Sequence, residues 1–150
     1  MSYQVDQSGK IEQTEKDTII ALSNDHNLTV LLKSKTKRII QKWFKEENSQ
    51  RFFAYVTFAA LLAILIKMES PTKRVEIDKE YPGHEDLITE RVSVYLKFLG
   101  VKKVPVLEWG HVGKTSDAHN LGAKVSHGKL KPSRIISLEE VMELILEIKK

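Results

Sequence analysis

Three aspartates occupy positions from which a folded chain could gather them around a metal ion. Asp6 lies near the end of the first predicted strand, Asp78 near the end of the fourth, and Asp117 at the start of the helix after the fifth. If the first and fourth strands are neighbours, Asp6 and Asp78 lie side by side, and a helix N-terminus above the sheet adds Asp117. Carboxylate oxygens without soft ligands suit hard divalent cations. Two such ions about 4 Å apart can activate a water and stabilise the leaving oxygen of a phosphodiester.

Each aspartate also has an ordinary structural explanation. Asp6 precedes Gln-Ser-Gly and can close a turn with its own side chain. Asp78 alternates with apolar neighbours and can be an exposed strand residue, and Asp117 can be an acid that the helix dipole favours in a first turn. Taken singly, each aspartate is explained by local structure. Taken together, in this order of elements, they favour a metal site.

The pattern of apolar and turn-forming residues predicts an α/β fold. Alternating or short apolar runs bounded by turn formers predict five strands, at residues 2–9, 16–24, 27–34, 73–81 and 104–112. Apolar residues at helical spacing predict helices at residues 35–47, from 48 or 49 to about 68, 84–99, 117–127, and after a capping box of Ser137 and Glu140. Three antiparallel strands followed by strands separated by helices predict a mixed five-stranded sheet with helices on both faces.

Length and composition limit the number of domains and the kinds of site that the protein can have. The chain has 150 residues, the usual size of one domain, so we predict a single domain over residues 1–150. Its net charge of +4 is a mild basic bias that is compatible with nucleic acid binding. The absence of cysteine excludes disulfides and any metal site ligated by Cys. It also fits an intracellular protein, and we expect a cytoplasmic location.

One apolar stretch requires a choice between a membrane span and a core helix. Residues 52–66 contain a single polar side chain, Thr57, and are bracketed by Arg51 and Lys67. A membrane-spanning helix needs about 20 apolar residues, which is longer than this run. We therefore predict a helix that is buried on all sides, and no membrane partner.

The element order and the acid positions resemble the ribonuclease H-like superfamily of nucleases, resolvases and integrases over residues 3–127. Asp6-Gln7-Ser8-Gly9 resembles the first-strand Asp before its turn, and Ile77-Asp78-Lys79-Glu80-Tyr81 resembles the fourth-strand Asp motif. Asp117-Ala118-His119-Asn120-Leu121-Gly122-Ala123 is similar to the last acid and the small-residue face of the final helix. The resemblance implies cleavage of phosphodiester bonds in nucleic acid by a two-metal carboxylate site that uses Mg²⁺ or Mn²⁺.

The chain departs from this family at one position. The family usually has a further Glu on the first long helix or near the fourth strand, and residues 52–66 contain no acid. Glu80 has the same strand parity as Asp78 and is the best substitute, with Glu47 as the second choice. The gap leaves open a non-catalytic module of the same fold that binds nucleic acid or acts as a scaffold. A third hypothesis is an unrelated α/β binding protein whose apolar helix forms an oligomer interface.

The loop GHVGKTS, residues 110–116, contains a further candidate. Position 108 is Glu, so the loop lacks the first Gly of an ATP-binding phosphate loop. We predict instead that Lys114, beside a helix N-terminus, contacts a substrate phosphate, although a plain flexible loop is an equal alternative. His119 lies two residues beyond Asp117 and is either a surface histidine or a proton shuttle or extra ligand at the same site.

Basic residues form two clusters that could follow a nucleic acid backbone. The first cluster comprises Lys33, Lys35, Lys37, Arg38 and Lys42. The second comprises Lys124, Lys129, Lys131 and Arg134. For the first cluster we slightly favour a solvated helix face over a nucleic acid contact. We favour the second, and Lys124 in particular, as a phosphate contact because it adjoins Asp117 in sequence. The sequence leaves the oligomeric state open.

Overall fold

The computed structural model describes residues 3–24, 27–71, 74–113 and 116–148. Within these residues, the strands are β1 (Tyr3–Ser8), β2 (Thr18–Ser23), β3 (Asn27–Leu32), β4 (Val75–Asp78), β5 (Leu107–Gly110) and β6 (Arg134–Ile135). The α-helices are α1 (Ser34–Glu46), α2 (Phe53–Glu69), α3 (Glu85–Phe98), α4 (Asp117–Ser126) and α5 (Leu138–Leu146). A short 3₁₀ turn, Gln50–Phe52, precedes α2.

The described strands form one mixed sheet in the order β5-β4-β1-β2-β3-β6. β1, β2 and β3 are an antiparallel meander, whereas β4 is parallel to β1 and β5 is parallel to β4. The predicted α/β class and the change from antiparallel to parallel strands are confirmed. The predicted number of five strands was too low by one, since β6 adds a strand parallel to β3. With two residues, β6 is too short to produce an alternating pattern in the sequence.

One face of the sheet packs against α2, which is the centre of the main core. Residues Thr57–Ile66 of this helix are all buried, because β2, β3, α3 and α5 surround it. By length and composition, Gln50–Glu69 is apolar enough to cross a membrane, with a mean hydropathy of 1.8, and 61% of that window is buried inside the protein. This burial agrees with a core helix, because a helix that is buried on all sides is apolar on all sides rather than on one face.

The opposite face of the sheet packs against α4. A Cβ atom added at Gly122 would lie 3.7 Å from the Cβ atoms of Ala21 and Ser8, so the helix backbone approaches the strands closely here. Asp6 pairs with Ala21 across β1 and β2, and both side chains therefore lie on the face that α4 covers. Helices thus lie on both faces, as predicted.

Lys37 does not belong to the surface cluster in which the sequence analysis placed it. Its side chain is fully buried. Spacing explains the difference, because Lys37, Ile40 and Phe44 follow the i, i+3, i+7 rule and share the buried face of α1. Burial lowers the pKa of the Lys37 ammonium to about 8, although the negative charges of Glu15 and Asp17 act against this shift.

The buried ammonium of Lys37 holds the loop between β1 and β2 in place. Its Nζ donates hydrogen bonds to the carbonyl oxygens of Lys10, at 3.1 Å, and Gln13, at 2.7 Å. A third bond, of 3.0 Å, reaches the hydroxyl of Thr18, which itself donates to the Gly9 carbonyl. A side chain of α1 therefore holds the loop that follows Asp6 in place.

Two details of the helix ends also differ from expectation. The long apolar helix begins at Phe53 rather than at residue 48 or 49, and Ser49 makes no side-chain capping bond. The spacing of Val141, Leu144, Ile145 and Ile148 predicts a buried helix face that includes Ile148, but α5 ends at Leu146 and Ile148 is exposed. The capping box of Ser137 and Glu140 is confirmed.

Replacing Lys37 by Ala tests the role of the buried ammonium. We expect the free energy of unfolding to fall by about 2–4 kcal/mol, because the change leaves a cavity and removes a donor shared by three acceptors. Lys42→Ala is the matched control, since Lys42 is 78% exposed on the same helix and should change stability by less than about 0.5 kcal/mol. Urea denaturation followed by circular dichroism measures both. Equal effects of the two substitutions would contradict the buried role of Lys37.

Candidate functional site

The parallel register of β1 and β4 sets the position of the first two aspartates. Val5 lies opposite Ile77, and both side chains are buried in the main core. Because strand side chains alternate between faces, the next residue on each strand, Asp6 and Asp78, projects to the other face. The two carboxylates therefore lie next to each other at the carboxyl ends of adjacent strands.

A third carboxylate joins them from the chain just after β4. Carboxylate oxygens of Asp6, Asp78 and Glu80 all lie within 4.8 Å of one another. They line an open pocket of about 330 Å³, whose wall also includes His111, Gly113 and His119. We call Asp6, Asp78 and Glu80 the acidic cluster. Two of the three predicted metal ligands and the predicted fourth acid therefore meet at one place.

The first turn of α4 brings a histidine to the acidic cluster rather than its aspartate. Asp117 is exposed and lies outside the group of three carboxylates. His119 lies with its Nδ1 atom 2.8 Å from Oδ2 of Asp6. Residues two apart on a helix do not face the same side, so only one of the two can point at the sheet. The Ser116 hydroxyl accepts a hydrogen bond from the backbone N–H of His119 and fixes where this helix begins.

The contact with Asp6 selects one tautomer of the imidazole. A carboxylate only accepts hydrogen bonds, so when Asp6 is ionised the hydrogen must be on Nδ1 of His119. A neutral ring then has its lone pair on Nε2, the nitrogen that can take up a proton or bind a metal. Of the two alternatives that the sequence leaves open for His119, its contact with Asp6 fits a residue at the same site as the aspartates.

Mutual repulsion and burial change the titration of the acidic cluster. Burial raises the pKa of Glu80 to about 8, and the hydrogen bond with Asp78 and the negative charges of Asp78 and Asp6 add to the shift. The positive charge of Lys10 acts in the opposite direction. Burial also raises the pKa of Asp6, and the hydrogen bond from His119 opposes this. Without a cation, the raised pKa therefore favours the protonated form of Glu80 at neutral pH.

Three hydrogen bonds that were not predicted from the sequence hold the site together. The backbone N–H of Val112 donates to Oδ1 of Asp78 over 3.0 Å, which ties the loop after β5 to the cluster. The hydroxyl of Tyr81 accepts from the N–H of Ile11 at 3.2 Å and lies 3.3 Å from Oε1 of Gln7. The only sequence signal for these bonds was the position of Tyr81 directly after the acidic motif.

The remaining predicted residues lie away from the acidic cluster or outside the described residues. Lys114, the predicted phosphate contact, is not among the described residues. Lys124 is exposed in the last turn of α4. Glu47, the second choice for a fourth acid, is exposed at the end of α1 and outside the cluster. Arg134 of the second basic cluster is exposed and forms an ion pair with Glu140.

Comparisons of the chain with protein-family models, curated proteins and solved structures found no match in any of the three. The resemblance to the ribonuclease H-like superfamily therefore depends on the arrangement of strands and carboxylates alone. The proposed function is therefore based on this arrangement of strands and carboxylates.

Glu80→Gln tests the electrostatic state of the cluster through the pH dependence of stability. The pKa of Glu80 is about 8 in the folded protein and about 4.5 in the unfolded chain, so the folded protein binds the extra proton between these values. Stability is therefore lost as pH rises through this window. We expect Glu80→Gln to be more stable than the parent at pH 8 by about 1–2 kcal/mol after solvent screening, and equal to it near pH 4.

Glu47→Gln is the control for this measurement, since Glu47 is an exposed carboxylate on the same chain. Thermal unfolding of the three proteins across this pH range gives the comparison. A parent protein whose stability rises between pH 5 and pH 8 relative to Glu80→Gln would contradict the raised pKa.

Proposed function

We propose that this chain is a divalent-metal-dependent nuclease with a ribonuclease H-like fold, which cleaves phosphodiester bonds in nucleic acid. Asp6, Asp78 and Glu80 would hold Mg²⁺ or Mn²⁺, with His119 beside Asp6. The observation that carries the proposal is the convergence of three carboxylates within 4.8 Å of one another in an open pocket. A carboxylate-rich donor set of this kind suits hard divalent cations.

The arrangement of the strands supports the fold assignment. An antiparallel meander of β1 to β3, with β4 and β5 added in parallel beside β1, is what the resemblance to the superfamily implies. The acids lie toward the carboxyl ends of the adjacent parallel strands β1 and β4, with Glu80 just after β4. β6 is an addition at the far edge and contributes nothing to the cluster.

The electrostatics of the acidic cluster fit a bound cation. Burial and the neighbouring carboxyls of Asp78 and Asp6 together raise the pKa of Glu80. A divalent cation would replace the proton of Glu80 and compensate the negative charge. A two-metal form of the reaction would require further ligands, and His119 is the candidate that already contacts Asp6.

Each neighbour of the cluster has a definable task in this proposal. When bound, divalent cations polarise a phosphodiester and lower the pKa of a water molecule. The Val112 N–H holds one oxygen of Asp78, which leaves its other oxygen for a ligand. Tyr81 fixes the chain after Glu80 against the turn after β1. His119, hydrogen-bonded through Nδ1, keeps a basic nitrogen available near Asp6.

A non-catalytic nucleic-acid-binding or scaffold module of the same fold is the alternative. It is favoured by the exposed position of Asp117, because three carboxylates rather than four meet at the site. A cation bound there would then order the ends of β1 and β4 without turnover. Metal binding without cleavage would identify this alternative.

Asp6→Asn tests catalysis directly. We expect Mn²⁺-dependent cleavage of branched, hybrid or single-stranded nucleic acid to fall at least about 100-fold, because one of three charged ligands is lost. Glu76→Gln is the matched control, since Glu76 lies on the same face of β4 two residues before Asp78 and outside the acidic cluster. Cleavage by Asp6→Asn at the parent rate would overturn the proposed mechanism.

Substitutions on α4 decide which residue of its first turn serves the site. We expect His119→Ala to weaken Mn²⁺ binding by about 10-fold or more, because the imidazole orients Asp6. Asp117→Asn should leave the affinity within about twofold, since Asp117 lies outside the cluster. Isothermal titration with Mn²⁺ measures both. The reverse order of effects would restore Asp117 as a ligand and contradict the role assigned to His119.

A further inference from the structure

The solvent face of α1 carries a straight line of cations. Lys35, Arg38, Lys42 and Lys45 follow the spacing i, i+3, i+7, i+10 and are all exposed, so they share one side of the helix. We call these four residues the α1 basic stripe. It differs from the first basic cluster of the sequence analysis, because Lys37 is buried and Lys45 belongs to the line.

Helix stability does not explain this distribution of charge. The first turn of α1 contains no acid, and Lys33 at its N-cap position makes no side-chain capping bond. The helix macrodipole favours acids at the N-terminus and cations at the C-terminus, whereas Lys35 lies at the start of α1 and Glu46 at its end. Lys45 in the last turn agrees with the macrodipole, but Lys35 at the start of α1 does not, so helix stability does not account for the whole line of cations.

The stripe borders a hollow that is suited to anions. The hollow has a volume of about 440 Å³ and is lined by Arg38, Gln41, Lys42, Lys45 and Gln50, with no carboxylate among these residues. Of the described ion pairs, the stripe takes part in one, between Lys42 and Glu46 at 3.9 Å, and both side chains of that pair are largely exposed. Ammonium, guanidinium and amide groups are all hydrogen-bond donors that phosphate oxygens can accept from.

The loop between β1 and β2 connects the stripe to the acidic cluster. Arg38 donates to the carbonyl oxygen of Thr14 over 3.0 Å, and Lys37 fixes Lys10 and Gln13. At the other end of the loop, the backbone N–H of Ile11 donates over 3.2 Å to the hydroxyl of Tyr81, the residue directly after Glu80. A chain of phosphates that crosses this loop would therefore meet both the stripe and the cluster.

We infer that the α1 basic stripe binds the phosphodiester backbone of the nucleic acid on which the site acts. The inference deepens the proposed function and depends on it for the identity of the polyanion. Three carboxylates repel phosphates, so the affinity for a polyanion has to come from a surface outside the acidic cluster. The stripe extends about 15 Å along the helix, which corresponds to about four base-pair steps along the axis of a duplex.

The test compares two variants that lose the same number and kind of cations. The stripe variant combines Lys35→Gln, Arg38→Gln, Lys42→Gln and Lys45→Gln. The control combines four exposed residues near the opposite end of the parallel strands: Arg74→Gln, Lys97→Gln, Lys102→Gln and Lys103→Gln. Fluorescence anisotropy with a labelled DNA duplex, without divalent metal, gives the dissociation constant over a salt series, and circular dichroism verifies folding.

For the stripe variant we expect the slope of log affinity against log salt to fall by about 3 to 4, and the affinity at low salt to fall at least about tenfold. The control should keep the parent slope. If the stripe variant does not fold, Lys42→Gln with Lys45→Gln should reduce the slope by about 2. Equal losses in the two four-site variants, no binding by the parent, or preference for phosphatidylserine vesicles over DNA would each overturn the inference.

Mn²⁺ binding, DNA binding and cleavage together distinguish a failure of this inference from a failure of the proposed function. Mn²⁺ titration of the stripe variant should give the parent affinity, since none of its substitutions touches the acidic cluster. A parent that binds DNA through the stripe but neither binds Mn²⁺ nor cleaves would overturn the nuclease proposal and keep the inference. If the parent cleaves nucleic acid and the stripe substitutions leave its salt slope unchanged, the nuclease proposal would stand and the inference would be overturned.

Discussion

The parallel pairing of β1 with β4 is the constraint on which the rest of the structure depends. Val5 opposite Ile77 anchors the register in the core, and the next residues, Asp6 and Asp78, then share the face that α4 covers. A shift of one residue in either strand would bury a carboxylate and expose an aliphatic side chain. The chain between these strands includes α2, whose ten consecutive buried residues fill the space beneath the sheet.

The site concentrates negative charge that folding alone would avoid. Glu80 keeps a raised pKa because burial and two neighbouring carboxyls disfavour its ionised form. The positive charge of Lys10 acts against this shift, and Lys37 holds the loop that carries Lys10 through a hydrogen bond to the Lys10 carbonyl oxygen. Retaining such repulsion costs stability, which is typical of sites that are shaped for a ligand.

The strands and the meeting of Asp6 with Asp78 could be predicted because alternation and turn residues specify strand faces directly. The number of strands could not, since β6 is held only by its pairing with β3. Asp117 was predicted from its place at the head of a helix. Which side of that first turn faces the sheet depends on the packing of Gly122 against the strands, and this packing points His119 at Asp6.

The central claim is that the acidic cluster holds a divalent cation. Crystals grown with Mn²⁺ and measured near the manganese absorption edge test it most directly, because anomalous scattering locates the ion independently of any assumed ligand. The account predicts an anomalous peak between the carboxylates of Asp6, Asp78 and Glu80, with His119 within reach of the same site. A peak elsewhere, or none at a saturating concentration of Mn²⁺, would contradict it.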